Sequence, residues 1–172
     1  AYSDSEDLFS VAELLRGQNE PPKKKPKYQD VRPLAYIRFN PRLGKAKPIT
    51  LKCLLDSGAS GSILAGKYAN KLRLKPNRDT KTVWTTPSGN MTTTKKSRCT
   101  FVLPEFHRDR VIEWDINISS GNLGAHDMII GRDILQGLGM KFDFTNLTVE
   151  WDGATIPMRD VDSMTNEAFY MH

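Results

Sequence analysis

Cysteine and histidine are both scarce in this chain of 172 residues, which contains two cysteines and three histidines. Two cysteines, Cys53 and Cys99, cannot build the disulfide framework of a small secreted scaffold or a zinc site made of several thiolates. The histidines His107, His126 and His172 are widely spaced, so we interpret them as surface residues rather than metal ligands. The sequence therefore predicts no metal site and no cofactor.

Long apolar runs are also missing from the sequence. No stretch approaches the roughly 20 apolar residues that a membrane-spanning helix requires. The first 20 residues have neither the basic start nor the continuous apolar stretch of a secretory signal. We therefore expect a soluble, intracellular protein that has no membrane partner.

Charge of one sign is not in large excess, because 25 Lys and Arg against 20 Asp and Glu leave a formal net charge of +5. That excess does not by itself indicate nucleic-acid binding. Hydrophobic residues make up 38% of the chain. A chain of this size and composition can bury one compact core with tails, and it is too short for two.

The composition changes near residue 30. Residues 1–20 are acidic, and their apolar positions have helical spacing behind a capping-box pattern from Ser3 to Glu6, which predicts a short helix ending near Gly17. The next residues are prolines and four lysines, a composition typical of an extended, solvated linker. A nuclear-localisation or nucleic-acid patch is the alternative interpretation, and we expect at most weak nucleic-acid binding there. The four lysines are Lys23, Lys24, Lys25 and Lys27.

From residue 32 onward, short strand-like segments dominate. Threonine-rich stretches on either side of residues 87–90 predict a hairpin with a flexible tip, and Asp152-Gly153 predicts a tight hairpin turn. Helical patterns are confined to residues 65–72 and 133–138. Many short strands with two short helices predict an all-β, barrel-like domain. The predicted strands are residues 34–39, 49–55, 80–86, 91–97, 111–118, 147–151 and 154–158.

Two motifs carry the chemistry. In residues 54–60, Leu-Leu-Asp-Ser-Gly-Ala-Ser, an apolar strand ends in Asp56, and Gly58 lets the backbone turn so that nearby amides hold the carboxylate. In residues 128–135, Met-Ile-Ile-Gly-Arg-Asp-Ile-Leu, a buried strand reaches a glycine and enters a short helix. Together with the hairpin between them, these motifs resemble the retropepsin-like aspartic proteases.

The resemblance covers residues 31–159 and is greatest to the protease region of Ty3/gypsy-type retrotransposon polyproteins. It implies a retropepsin-like closed β-barrel with one lobe per chain. It also divides the chain into an acidic helix and linker in residues 1–30, a protease domain in 31–159 and a tail or spacer in 160–172. An intracellular location, in the cytoplasm or in a virus-like particle, is the corresponding expectation.

The activity implied by the resemblance is peptide hydrolysis by two aspartates, one acting as general base toward water and the other as general acid. Asp56 is the catalytic aspartate in this reading. Because the chain has a single Asp-Ser-Gly motif and is too short for two lobes, the second aspartate must come from a second copy. The expected protein is therefore a homodimeric aspartic endopeptidase that cleaves extended segments of a polyprotein of the Gag/Pol type.

Further residues take roles by their match to the family. Ser57 corresponds to the hydroxyl residue that bonds across the two-fold axis, beside Gly58 and Ala59 in the supporting loop. Residues 85–90 correspond to a flap that closes over an extended peptide bound as a strand. The residues that this match assigns to substrate binding are Trp84, Thr86, Ser88, Gly89, Ile129 and Ile130.

The sequence departs from the family at Ser60, where retroviral members commonly have an acid that pairs with the arginine equivalent to Arg132. Asp133 or a partner chain is expected to compensate. A noncatalytic dimeric module with the same fold, which binds proteins, is the alternative function. Residues 58–62 also approach a Gly-x-Ser-x-Gly nucleophile elbow, but the fifth residue is Ser62 and the strand-rich context is wrong for that fold.

Overall fold

The structure, a computed structural model, describes residues 29–39, 47–76, 78–86 and 89–164. The described chain is mostly strand, with two short helices and one 3₁₀ turn at Val161–Ser163. The helices are α1 (Gly66–Lys71) and α2 (Arg132–Leu138). The strands are β1 (Leu34–Phe39), β2 (Ile49–Leu55), β3 (Ile63–Ala65), β4 (Arg78–Thr86), β5 (Gly89–Leu103), β6 (His107–Ser119), β7 (Met128–Ile130), β8 (Lys141–Asp143), β9 (Thr148–Trp151) and β10 (Ala154–Pro157).

Six strands close into a barrel in the order β1, β2, β7, β3, β6 and β5. The ring closes because β5 also pairs with β1, with Arg38 opposite Val102 and Phe39 opposite Phe101. Closure removes unpaired strand edges from this part of the sheet. The predicted all-β, closed barrel with two short helices is confirmed.

The barrel interior is filled by the inward-facing residues of its strands. In β6, Ile112 and Ile116 are buried while Glu113 is exposed, as the alternation in the sequence predicted. Phe39 and Phe101 meet where the ring closes, with ring centroids 5.7 Å apart. Burying each such side chain contributes about 1.5–3 kcal/mol, so the core holds the loops of the site in place.

The hairpin of β4 and β5 extends beyond the barrel. Its pairing runs from Arg78 opposite Lys96 to Thr86 opposite Gly89, with an irregularity between Asp79 and Thr82. The hairpin was predicted, but β5 is 15 residues long and continues into the barrel wall rather than ending at Ser97. Its tip, residues 87–88, lies outside the described residues.

A second sheet of three antiparallel strands contains β8, β9 and β10. The turn between β9 and β10 has Asp152 at φ 50° and Gly153 at φ 80°. Positive φ at both central residues is the conformation that Asp-Gly favours, so the predicted turn is confirmed. Helix α2 ends similarly at Gly139, with φ 71°, before the chain enters β8.

The two ends of the described chain meet on the barrel. Arg32 and Arg159 exchange backbone hydrogen bonds of 3.0 and 2.9 Å. After Arg159, Met164 packs against Leu34 and Tyr36 in a small separate cluster. The predicted N-terminal helix and lysine linker, residues 1–28, and residues 165–172 lie outside the described residues. Within the described part of the chain, neither helix is long and apolar enough to cross a membrane.

Candidate active site

Asp56 follows β2 directly and is half-buried. Its backbone N–H donates to the carbonyl of Ile130 at 2.8 Å, which continues the parallel pairing between β2 and β7. Its carboxylate oxygen Oδ1 accepts a hydrogen bond from the N–H of Gly58 at 2.8 Å. The end of a buried strand thus fixes the backbone, and the loop orients the carboxylate.

The tight turn of the loop depends on Gly58. A Cβ placed there would lie 3.1 Å from Oδ1 of Asp56, close enough to disturb the hydrogen bond between the two residues. The N–H of Ala59 donates to the carbonyl of Asp56 at 3.2 Å and closes the turn. Ser57 and Gly58 are exposed, whereas Ala59 is partly buried. The loop therefore presents its tip, next to the carboxylate, to solvent.

The segment that runs from β7 into α2 packs behind this loop. A Cβ on Gly131 would lie 2.3 Å from the carbonyl oxygen of Gly61 and 2.8 Å from that of Ala59, so a side chain does not fit. The N–H of Arg132 donates to the carbonyl of Ala59 at 2.8 Å. The glycine of the second motif is thus required by close packing of two backbones.

A polar network joins the loop to α2. The hydroxyl of Ser62 donates to Oδ1 of Asp133 at 2.8 Å and accepts from the N–H of Gly131 at 3.0 Å. The indole N–H of Trp114 donates to Oδ2 of the same carboxylate at 3.0 Å. The sequence does not indicate this role for Ser62 or Trp114, because nothing local to either residue points to Asp133 as its partner.

The network corrects one expectation about Arg132. Both oxygens of Asp133 accept hydrogen bonds from Ser62 and Trp114, so Asp133 does not take over the role of the missing acid at Ser60. Instead, the guanidinium of Arg132 donates to the backbone carbonyl of Ser57 at 3.3 Å. A carbonyl oxygen in the loop is a neutral acceptor, so Arg132 supports the loop without an ion pair in this contact.

Trp84 connects the hairpin to the loop. A Cβ placed on Gly61 would lie 2.7 Å from the indole ring of Trp84, which shows that the ring lies directly against the loop backbone. The indole N–H donates to the hydroxyl of Thr93 across the hairpin at 2.8 Å. The structure thus brings Trp84 close to the Asp56 loop.

The other residues predicted to bind substrate are not all placed beside the Asp56 loop as Trp84 is. Thr86 and Gly89 face each other as the last backbone pair of the hairpin, and Ser88 lies outside the described residues. Ile129 is partly exposed. Ile130 is fully buried in the core, so in this chain its side chain supports the site from behind rather than lining an open surface.

Two titratable residues, His126 and Asp127, lie immediately before β7. Oδ2 of Asp127 accepts from the backbone N–H of Lys52 at 3.0 Å, and Oδ1 accepts from the hydroxyl of Tyr68 at 2.8 Å. Burial and that hydrogen bond raise the pKa of Tyr68 to about 12. Partial burial, together with the positive charge of Arg32, lowers the pKa of His126 below its usual value.

Taken together, these contacts present one carboxylate per chain, held in a fixed plane beside an exposed turn. Such a group can accept a proton or share one with a second carboxylate, but alone it supplies half of an acid–base pair. No cluster of three or more His, Cys, Asp or Glu suited to a metal ion occurs in the described residues.

Comparisons with known proteins identify the fold. No family model matches the sequence, and no curated protein matches it either. The retroviral protease-like domain of Ddi1 from Leishmania major is similar in structure, with a TM-score of 0.56, at 16% identity over 79% of this chain and 100% of that chain. The EIAV protease complexed with the inhibitor HBY-793 is also similar, with a TM-score of 0.50, at 25% identity over 69% of this chain and 99% of that chain. The fold is therefore retropepsin-like, and these likenesses support an aspartic protease-like domain in this chain.

Proposed function

We propose that this protein is an aspartic endopeptidase that forms its active site from two copies of the chain. The observation that carries the proposal is the geometry at Asp56. Its carboxylate follows a buried strand, accepts the Gly58 N–H at 2.8 Å and lies beside an exposed turn.

The proposed reaction needs both carboxylates near one water molecule. One Asp56 takes a proton from the water, and the water oxygen attacks the peptide carbonyl carbon. The other Asp56 donates a proton to the carbonyl oxygen, which gives a tetrahedral intermediate. The first Asp56 then passes its proton to the amide nitrogen, the C–N bond breaks, and the second Asp56 recovers a proton from one hydroxyl of the intermediate as the acid and amine products form. Two carboxylates that face one water molecule would repel each other if both were charged, so the proposed reaction starts with one of them protonated.

The need for a second copy follows from the number of loops. The chain has one Asp-Ser-Gly motif, and its single barrel provides one such carboxylate. Ser57 and Gly58 are exposed in the single chain, where they are available to meet the same residues of a partner. A two-fold axis through this loop would place both Asp56 side chains on one groove.

The proposed substrate is an extended peptide that lies between the β4–β5 hairpin and the loop. Backbone hydrogen bonds would supply affinity, and pockets for alternate side chains would supply selectivity. Trp84 on the hairpin and Ile129 on β7 are both partly exposed, and we propose that their side chains contact this peptide. Segments of a retroelement polyprotein of the Gag/Pol type, processed in the cytoplasm or in a virus-like particle, are the substrates we propose.

The test compares Asp56→Asn with the unchanged protein and with the matched control Asp109→Asn, an exposed aspartate at the β5–β6 end of the barrel. Cleavage of polyprotein-derived peptides is measured from pH 4 to 8, and oligomeric state is measured by analytical ultracentrifugation. We expect Asp56→Asn to abolish cleavage and still dimerise, while Asp109→Asn keeps full activity.

Two outcomes would contradict the proposal. Cleavage that survives Asp56→Asn would show that another group performs the chemistry. A dimer that binds peptides and never cleaves them would instead establish the noncatalytic binding module.

A further inference from the structure

The positive charge of this protein is concentrated in one part of the chain. Residues 66–98 contain nine Lys or Arg and a single acid, Asp79, for a formal net charge of +8. The whole chain has +5, so the other residues together carry −3. A modest average charge therefore conceals a strongly basic segment.

The fold places part of that segment around one groove. A cavity of about 810 Å³ has two walls. One wall is formed by α1 and the chain that follows it, and the other by the middle of β5 and the end of β6. The hydroxyl of Ser97 donates to the carbonyl of Lys75 at 3.0 Å, which ties one wall to the other. Leu72, just after α1, is 2% exposed and anchors the same wall in the core. We call this cavity the basic groove.

The side chains that line the basic groove are suited to phosphate. Its charged lining residues are Lys67 and Lys95, and both are exposed. The polar remainder consists of hydroxyl and amide groups, which with lysine are the usual contacts of phosphate oxygens. Asp79 lies opposite Lys95 in the backbone register of β4 and β5. These neutral polar residues include Asn70, Thr92, Thr94, Ser97, Ser119 and Ser120.

The lysines are not neutralised within the described chain. Lys67 and Lys71 lie over the ring of Tyr68, at 5.0 and 5.6 Å from its centroid, rather than beside an acid. Among the described residues, the ion pairs that form involve other residues, such as Arg110 with Asp152 at 2.7 Å. The pair of Arg110 and Asp152 lines a different cavity of about 440 Å³, where charges of both signs are present. The basic groove differs because its lining charges are all positive.

We propose that the basic groove binds single-stranded nucleic acid through its phosphate backbone. Lysine ammonium groups are compact point charges that follow a repeated phosphate chain without fixed geometry. A positively charged groove that tracks the backbone is the usual electrostatic arrangement for single strands. Lys67 on a helix and Lys95 on a strand are separate positive charges, an arrangement that matches a polyanion better than a single carboxylate. This interaction is independent of the proposed peptide hydrolysis.

The test is fluorescence anisotropy of a labelled 12-nucleotide oligouridylate with the full chain, measured from 50 to 300 mM salt. The variant Lys67→Gln/Lys95→Gln removes two phosphate contacts, so the log–log salt slope should fall by about 1.4. Binding at 0.1 M salt should weaken on the order of 20-fold by the same relation. The control Lys141→Gln, in the charge-balanced cavity, should leave binding unchanged.

Two further arms make the outcome decisive. A variant with Lys23, Lys24, Lys25 and Lys27 changed to Gln should retain the affinity lost by the groove variant. Loss of binding only in this linker variant, or no binding at 50 mM salt, overturns the proposal. Polyglutamate that binds the groove as tightly as the oligouridylate, with the same sensitivity to Lys67→Gln/Lys95→Gln, would reassign the groove to acidic peptides. Far-ultraviolet circular dichroism confirms that each variant is folded.

Discussion

At the scale of single residues, Gly131 is the position where the site tolerates least change. Its backbone passes the carbonyl oxygens of Gly61 and Ala59 so closely that a Cβ would lie 2.3 and 2.8 Å from them. Both obstacles are backbone atoms, and neither can rotate away. The support of the Asp56 loop therefore depends on the absence of one methyl group.

We expect Gly131→Ala to lower the free energy of unfolding by about 3 kcal/mol, because the loop must shift to admit the new Cβ. Urea denaturation followed by tryptophan fluorescence measures the loss. Gly121→Ala is the matched control, since a Cβ there has open space within 4 Å, and it should change stability little. Equal effects of the two substitutions would contradict the close-packing argument.

His126 provides a prediction about pH. Burial and Arg32 lower its pKa in the folded protein, while Asp127 and Asp56 act in the opposite direction and Lys52 adds to the lowering. Between that lowered value and 6.5, the unfolded chain binds more protons than the folded one, so stability falls as pH falls through this window.

The expected proton NMR titration of the His126 ring has a midpoint below 6.5. His126→Gln assigns the signal and should flatten the dependence of unfolding free energy on pH over the same window. A midpoint at or above 6.5 would show that the nearby carboxylates outweigh burial.

The chemistry of the loop could be predicted at this scale, whereas its support could not. Asp56 and Gly58 are two residues apart, and their hydrogen bond follows from a local motif. Ser62 and Asp133 are separated by 71 positions, so only the folded barrel makes them neighbours. The full burial of Ile130 likewise depends on strands on both sides of β7.

At the scale of elements, the β4–β5 hairpin and the Asp56 loop are connected through Trp84. The indole ring contacts the Gly61 backbone and bonds to Thr93 on the other strand of the hairpin. This single side chain therefore holds the two strands together and rests the hairpin on the loop.

Trp84→Phe keeps an aromatic ring and removes the hydrogen bond to Thr93, which should cost about 1 kcal/mol of stability. If the proposed function holds, the substitution should also make the hairpin more mobile, which should raise the KM for peptide more than it lowers kcat. Thermal denaturation and steady-state peptide cleavage measure the two effects. The control Thr93→Val removes the same hydrogen bond from the other side, and an unchanged KM in both variants would contradict the role of this contact.

Element lengths were predicted less well than element types. The hairpin was expected to end at Ser97, but β5 continues through Cys99 and Phe101, which are buried in the barrel. The turn at residues 104–106 that returns the chain to β6 was not predicted, although Pro104 is a residue typical of turns. Strands β3 and β8, three residues each, are too short to show a period.

At the scale of the whole molecule, closure of the barrel buries both cysteines. Cys53 and Cys99 are each 0% exposed. Burial raises the pKa of the Cys99 thiol to about 12 and raises that of Cys53 well above its usual value. Because the thiolate is the reactive form, both groups should be inert while the barrel is closed.

We expect no reaction of the native protein with a disulfide-exchange reagent at pH 8, and reaction of two thiols per chain after unfolding in urea. The labelling rate should track the opening of the barrel, since neither thiol is reached from the surface. Cys99→Ala, which leaves Cys53 alone, should halve the final signal. Rapid labelling of the folded chain would show that the barrel opens locally beside one of the strands.

The class of the fold was predictable because many short strands with little helix have few packed arrangements. Closure was expected from the resemblance, but the pairing that produces it was not predicted, since Phe39 and Phe101 lie on strands that are far apart in the sequence. The basic groove was missed for a related reason. The whole-chain charge of +5 averages the basic residues 66–98 with the net-acidic remainder of the chain, and only the fold shows that part of that segment lines one cavity.

The irregular pairing between Asp79 and Thr82 determines where the hairpin can bend. Beyond it, Thr82–Thr86 and Gly89–Thr93 form a two-stranded ribbon of five paired positions, about 15 Å long at the usual rise per residue. Bending this ribbon at the irregularity requires release of the Trp84 ring from Gly61 and leaves the hydrogen bonds of the closed barrel intact. Admission of a ligand beneath the ribbon therefore costs the contact of Trp84 with Gly61 and that of Met91 with the Ser119 hydroxyl, rather than part of the core.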